Sequence, residues 1–195
     1  MLLRRLQRAW APDLALNVFR PIRCGRYKLV KPGELERAVK LAVRQMSPPR
    51  ALLVLIDADD DCPKQLAPRL AQRAAPELSG ADTPFSVVLA KREYESWFLA
   101  AFESLGGHRG LRMELRAIPN AELSRDAKKV LTRHMVGSRA DSEPLDQPAL
   151  TERFDLDLAR KRTDSFAKCC REVERLFRAV WPGRGDPADG EPNAR

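Results

Sequence analysis

Apolar residues recur along this chain with two periods, and the switches between them mark out its elements. Leu2, Leu3, Leu6 and Trp10 share one face at helical spacing and predict a helix that Pro12-Asp13 ends. Leu14 to Phe19, LALNVF, alternates and predicts a strand, and residues 20–31 read as a basic loop. Pro32 suits the first turn of a helix running to about Met46, with Leu35, Ala38, Val39, Ala42 and Val43 as its stripe. Ala51 to Ile56 (ALLVLI) and Phe85 to Leu89 (FSVVL) are continuous apolar runs of strand length. Such runs suit strands covered on both faces, as in a parallel sheet. Between them Pro63 opens a helix to about Ala75, with Leu66, Leu70 and Ala74 in register. Glu93 to Leu105 follows as a helix carrying Trp97, Phe98, Ala101 and Leu105.

This alternation of helix and strand predicts an α/β fold, a mainly parallel sheet flanked by helices. After Gly106-Gly107 the pattern becomes helical, with helices expected at Glu122 to Met135, at 148–154 and at Ser165 to Trp181. The organisation expected is therefore an α/β core over 1–106, a helical C-terminal extension over 107–181 and a disordered tail over 182–195. That tail is rich in Gly, Pro and Asp and lacks an apolar anchor.

Charge adds the next constraint. The 195 residues carry 35 Lys and Arg against 27 Asp and Glu, a formal net charge of +8. The excess is concentrated: the first 50 residues hold 12 basic side chains and 3 acidic ones. A polyanionic partner, nucleic acid, is compatible with that asymmetry. Arg20, Arg23, Arg26, Lys28 and Lys31 could grip phosphates, with Tyr27 available to stack on a base, or could equally form a solvated loop. No stretch reaches the roughly 18 uncharged apolar residues of a membrane span. Arginines interrupt the N-terminal MLLRRLQRAW where a signal peptide keeps its apolar core. The four cysteines show neither CxxC nor zinc spacing, so a cytoplasmic location is expected. GxSxG, GxxxxGK[ST] and GxGxxG are all absent, which removes the core feature of phosphate-loop and Rossmann readings.

The segment ALLVLIDADDDCP, residues 51–63, is the most informative. It ends a buried strand in Asp57, Asp59, Asp60 and Asp61. If the strand continues, its pleat sends Asp57 and Asp59 to one side. In open α/β sheets ligands gather beyond the carboxyl ends of the strands. Clustered carboxylates raise one another's pKa unless a cation neutralises them, and oxygen ligands suit Mg²⁺ or Mn²⁺. Alternatively, Asp60 or Asp61 caps the helix that Pro63 opens, and both readings can hold together. A second cluster, Lys91-Arg92-Glu93-Tyr94-Glu95-Ser96-Trp97, follows the second apolar strand. Glu95 could be a third metal ligand or a base, while Glu93 and Glu95 could also simply favour a helix N-terminus.

With LVLIDADDD followed by VVLAKREYESWFLA, and later LDQPALTERFDLDLARKRTDSFAKCCREVERLF, the chain resembles a bacterial family of unknown function with a Toprim-like core (domain of unknown function 4276). The likeness spans roughly residues 2–178. It implies a Toprim-like sheet whose DxD, Asp57 and Asp59, holds Mg²⁺ for phosphodiester chemistry, with Glu95 as the glutamate of E-x-W. Family members begin with a strand and turn bearing V-E-G-x-x-E ahead of the segment matching LLRRL. This chain starts at Met1-Leu2-Leu3, so that acidic strand is expected to be missing. Either the start lies upstream or the chain is a degenerate copy.

Two functions are therefore expected to compete. One is Mg²⁺- or Mn²⁺-dependent nuclease-type chemistry on nucleic acid, with Asp57, Asp59 and Glu95 as metal and catalytic residues. The other is a non-catalytic module, in a phage-defence-type system, that binds nucleic acid or protein through the basic N-terminal quarter.

Overall fold

The computed structural model describes residues 1–78, 83–137 and 143–181, with the side chains of all but Glu143 and Pro144. In chain order come α1 (Leu2–Trp10), α2 (Arg26–Leu29), α3 (Glu34–Gln45), β1 (Leu52–Asp57), α4 (Pro63–Leu78) and β2 (Phe85–Ala90). Then follow α5 (Glu95–Ala100), α6 (Ala127–Arg133), α7 (Glu143–Thr151), α8 (Leu156–Arg162) and α9 (Asp164–Val180), with short 3-10 turns between α5 and α6. None of the helices described is long and apolar enough to cross a membrane. The tail expected to be disordered, 182–195, lies outside the described residues.

The two apolar runs pair in parallel, from Leu52 beside Phe85 to Asp57 beside Ala90, with α4 as the crossover. Their continuous hydrophobicity has the cause expected, because helices cover both faces. Val54, Ile56, Val87 and Leu89 face a layer formed by Leu35 and Val39 of α3 and Leu70 and Ala74 of α4. Leu53, Leu55, Val88 and Ala90 face the larger layer, which holds Leu6, Trp97, Phe98, Phe154, Phe166 and Cys169. One apolar core thus crosses residue 106, joining α1 and α5 to α8 and α9. Its centre is a chain of aromatic contacts, with Trp97 and Phe166 centroids 4.9 Å apart and Phe154 and Phe166 5.5 Å apart. The amino end of α9 is satisfied by a distant carboxylate: buried Glu122 accepts the N–H groups of Asp164 at 3.3 Å and Ser165 at 2.8 Å.

Leu14 to Phe19 is not a strand, a correction to the alternation reading. The period-two burial is real, since Leu14 is buried, Leu16 and Val18 half-buried, and Ala15, Asn17 and Phe19 exposed. The segment meets that pattern by lying on the helical layer without a neighbouring ladder, so the sheet described has two strands. The basic loop contains a single helical turn, α2. The expected helix from Glu93 to Leu105 divides into α5 and a 3-10 turn at Phe102–Leu105.

Candidate functional site

β1 ends at Asp57, and the chain then turns sharply. Ala58 N–H still reaches Ala90 O at 2.8 Å, and Asp59 N–H reaches Arg92 O at 2.9 Å. Asp59 sits at φ 49°, a left-handed conformation that a short polar side chain tolerates, and Asp61 N–H closes the turn onto Ala58 O at 2.9 Å. The pleat therefore stops before Asp59, so the condition under which strand alternation would align Asp59 with Asp57, a strand continuing that far, is not met. The turn carries Asp59, Asp60 and Asp61 outward, where all three are exposed.

Arginines meet these acids. Arg26 of α2 donates from Nε to Asp57 O at 2.9 Å and from Nη2 to Ala58 O at 3.1 Å. The same guanidinium lies 3.2 Å from Asp59 Oδ2 and pairs with Asp61. Asp60 takes Arg92 at 2.6 Å and Arg125 at 3.1 Å, and these cations hold its carboxyl below the usual carboxylate range. Arg26, expected from sequence to contact phosphate, is instead engaged with the acidic turn, because α2 aims it at the end of β1.

Behind the turn lies a more enclosed group. Asp57 is half-buried and accepts Tyr94 N–H on Oδ1 at 2.8 Å. Burial pushes its carboxyl up to about 6, against the Tyr94 N–H and the Lys128 charge, while Asp59 and Glu93 add to the rise. Glu93 accepts Lys128 N–H at 3.2 Å. Glu95, 1% exposed, accepts Gln147 Nε2 at 3.3 Å and lies 4.0 Å from Lys128 Nζ. The Tyr94 hydroxyl meets Thr151 Oγ1 at 3.0 Å, and burial drives its pKa upward.

The structure thus brings Asp57, Glu93 and Glu95 around Lys128, and sends Asp59 to Arg26. Among the described residues no group of three or more His, Cys, Asp or Glu side chains could hold a metal ion. The expected set of Asp57, Asp59 and Glu95 does not fit Mg²⁺ as a three-carboxylate centre, because arginine already neutralises Asp59. Sequence reasoning gave no role to Lys128 and Arg125, which lie in no quoted motif, or to Gln147, which lies in LDQPALTERF but is brought to Glu95 only by the fold. Arg92 was named within the second cluster but given no role there.

The basic segment presents a different surface. Arg20, Arg23, Lys28 and Lys31 are exposed, as are Phe19, Ile22 and Tyr27. Tyr27 is 62% exposed, and Lys28 Nζ and Lys31 Nζ lie 5.8 and 5.5 Å from its ring centroid. In comparisons with protein-family models, curated proteins and solved structures, nothing matches this chain.

Proposed function

We propose that this protein binds single-stranded nucleic acid through the segment 19–31, and that the acidic turn after β1 anchors that segment. The observation that carries this reading is Tyr27, an exposed ring with two lysine ammonium groups beside it. A ring of this kind can stack on any base while the lysines neutralise flanking phosphates. Exposed Arg20 and Arg23 extend the cationic track, and exposed Phe19 and Ile22 add apolar contact. The acids act structurally here. Asp59 and Asp61 hold Arg26, whose four-residue helix is too short to persist alone. Anisotropy of a labelled single-stranded oligonucleotide tests the proposal with wild type and Tyr27→Ala. Weaker binding by the variant supports it, and equal binding refutes it.

Asp57 favours a second reading, phosphodiester chemistry at the carboxyl end of the sheet. It is half-buried at the carboxyl end of β1, the position where ligands of open α/β sheets gather. Mg²⁺ or Mn²⁺ would there be held by Asp57 and Glu95 alone, with water and phosphate oxygens as the remaining ligands. Calorimetry separates the readings: metal binding lost in Asp57→Asn supports the second, and no heat at millimolar metal refutes it.

A further inference from the structure

We infer that the cavity at the carboxyl end of α6 is a binding site for a guanine nucleotide. It has a volume of about 590 Å³ and is walled by residues 113–118 together with His134. None of these walls comes from the segment 19–31 or from the Asp57 group. Lys128, beside Asp57, sits in the first turn of α6, whereas His134 follows its last residue, roughly 9 Å further along the axis. The volume falls within the range of small-molecule sites.

The walls are built in advance of any ligand. Arg112 N–H donates to His134 O at 2.9 Å, and Ile118 N–H donates to Leu99 O at 3.0 Å, so the stretch between them is tethered at both ends. Buried Leu115 pins its middle. The His134 ring packs edge-on against Phe102, with centroids 5.1 Å apart, and its Nδ1 lies 2.9 Å from Val130 O. A carbonyl only accepts, so Nδ1 carries the proton and Nε2 of the neutral ring is left as an acceptor. Three polar groups on these walls are uncommitted. Among the described residues Glu114 and Arg116 enter no ion pair or side-chain hydrogen bond, and His134 Nε2 has no partner. Met113, Leu115 and Ile118 supply apolar surface beside them.

The pattern of donors and acceptors selects the ligand. A guanidinium forks onto an anion such as phosphate. A carboxylate and a bare imidazole nitrogen require donors instead. The ligand therefore carries an anion at one end, donors at the other and an apolar body between them. A carboxylate presents two parallel acceptors, and guanine meets both, with its ring N–H beside its exocyclic amino group. Adenine and cytosine turn a bare ring nitrogen to that position, and uracil turns carbonyls to it. Glu114 thus reads the base, Arg116 takes the phosphate and His134 Nε2 accepts from a ribose hydroxyl.

Titration calorimetry of the full chain with guanosine and adenosine monophosphates tests this. Guanosine monophosphate should bind about 10-fold or more tighter than the adenosine analogue, the discrimination expected of a bidentate base contact. Arg116→Ala should weaken both nucleotides by about 10-fold, the loss of one charged hydrogen bond, and Glu114→Gln should erase the preference. Both side chains are exposed, so thermal unfolding of the variants should match wild type. No heat at millimolar guanosine monophosphate would overturn the inference, as would equal affinity for the two nucleotides or either variant binding as wild type does. Once the preference is seen, a single strand that begins with a phosphorylated guanosine identifies the source, measured in Tyr27→Ala. Displacement of labelled guanosine monophosphate assigns the site to a strand end, and retention assigns it to the free nucleotide; each supports the site.

Discussion

Asp57 and Tyr27 carry the two readings, and each can be changed with little disturbance to the fold. Tyr27 is exposed, so removing its ring costs no core packing. Loss of one stacked base is worth about 1–3 kcal/mol, so Tyr27→Ala should bind a single-stranded oligonucleotide roughly 5- to 150-fold more weakly, with unchanged thermal unfolding. Asp57 bears on stability instead. Its folded-state pKa of about 6 lies above the ordinary carboxylate value of 3.8. Between those values the folded chain keeps a proton that the unfolded chain has released, so this group lowers stability as pH rises through that window, with no further effect above it. Asp57→Asn retains the acceptor for Tyr94 N–H and abolishes that slope. Urea midpoints at pH 4, 5, 6 and 7 should show the variant gaining on wild type as pH rises, by up to about 3 kcal/mol; parallel curves would contradict the origin given for the shift.

At the scale of elements, α2 and α9 depend on tertiary contacts in opposite ways. Four residues cannot hold a helix in water, so α2 relies on Arg26 and on buried Leu29. Arg26→Ala should therefore speed amide exchange across 26–30 and weaken oligonucleotide binding together, measured on the same preparation. Unchanged exchange would show that the acidic turn does not anchor the segment. α9 is long and amphipathic, and Phe166 on it is fully buried against Trp97 and Phe154. Phe166→Ala should cost about 3–5 kcal/mol in denaturant unfolding. What sequence made legible follows the same division. ALLVLI and FSVVL read correctly as strands because only cover on both faces suits unbroken apolar runs, and α9 reads correctly from its stripe. LALNVF misled because a chain lying on helices can satisfy alternation without a partner strand. The left-handed turn at Asp59 was hidden because pleat arguments assume that the strand continues. Glu122 capping α9 joins residues too far apart in sequence for any local pattern to reveal.

At the scale of the whole molecule, the described residues form a two-stranded sheet with helices on both faces, and charge is unevenly distributed along the sequence. Of the basic excess in the first 50 residues, Arg26 is engaged by the acids after β1, while Arg20, Arg23, Lys28 and Lys31 remain at the surface. That division of labour, one cation for anchoring and four for a polyanion, is the central claim. Its most direct test is the salt dependence of single-stranded oligonucleotide affinity, for wild type and for Lys28→Ala/Lys31→Ala. Each phosphate neutralised on a single strand contributes about −0.7 to the slope of log K against log salt. Wild type should therefore weaken steeply with salt, and the double variant should have a slope shallower by about 0.7 for each lysine removed. Affinity that does not change with salt, or slopes that coincide, would contradict it.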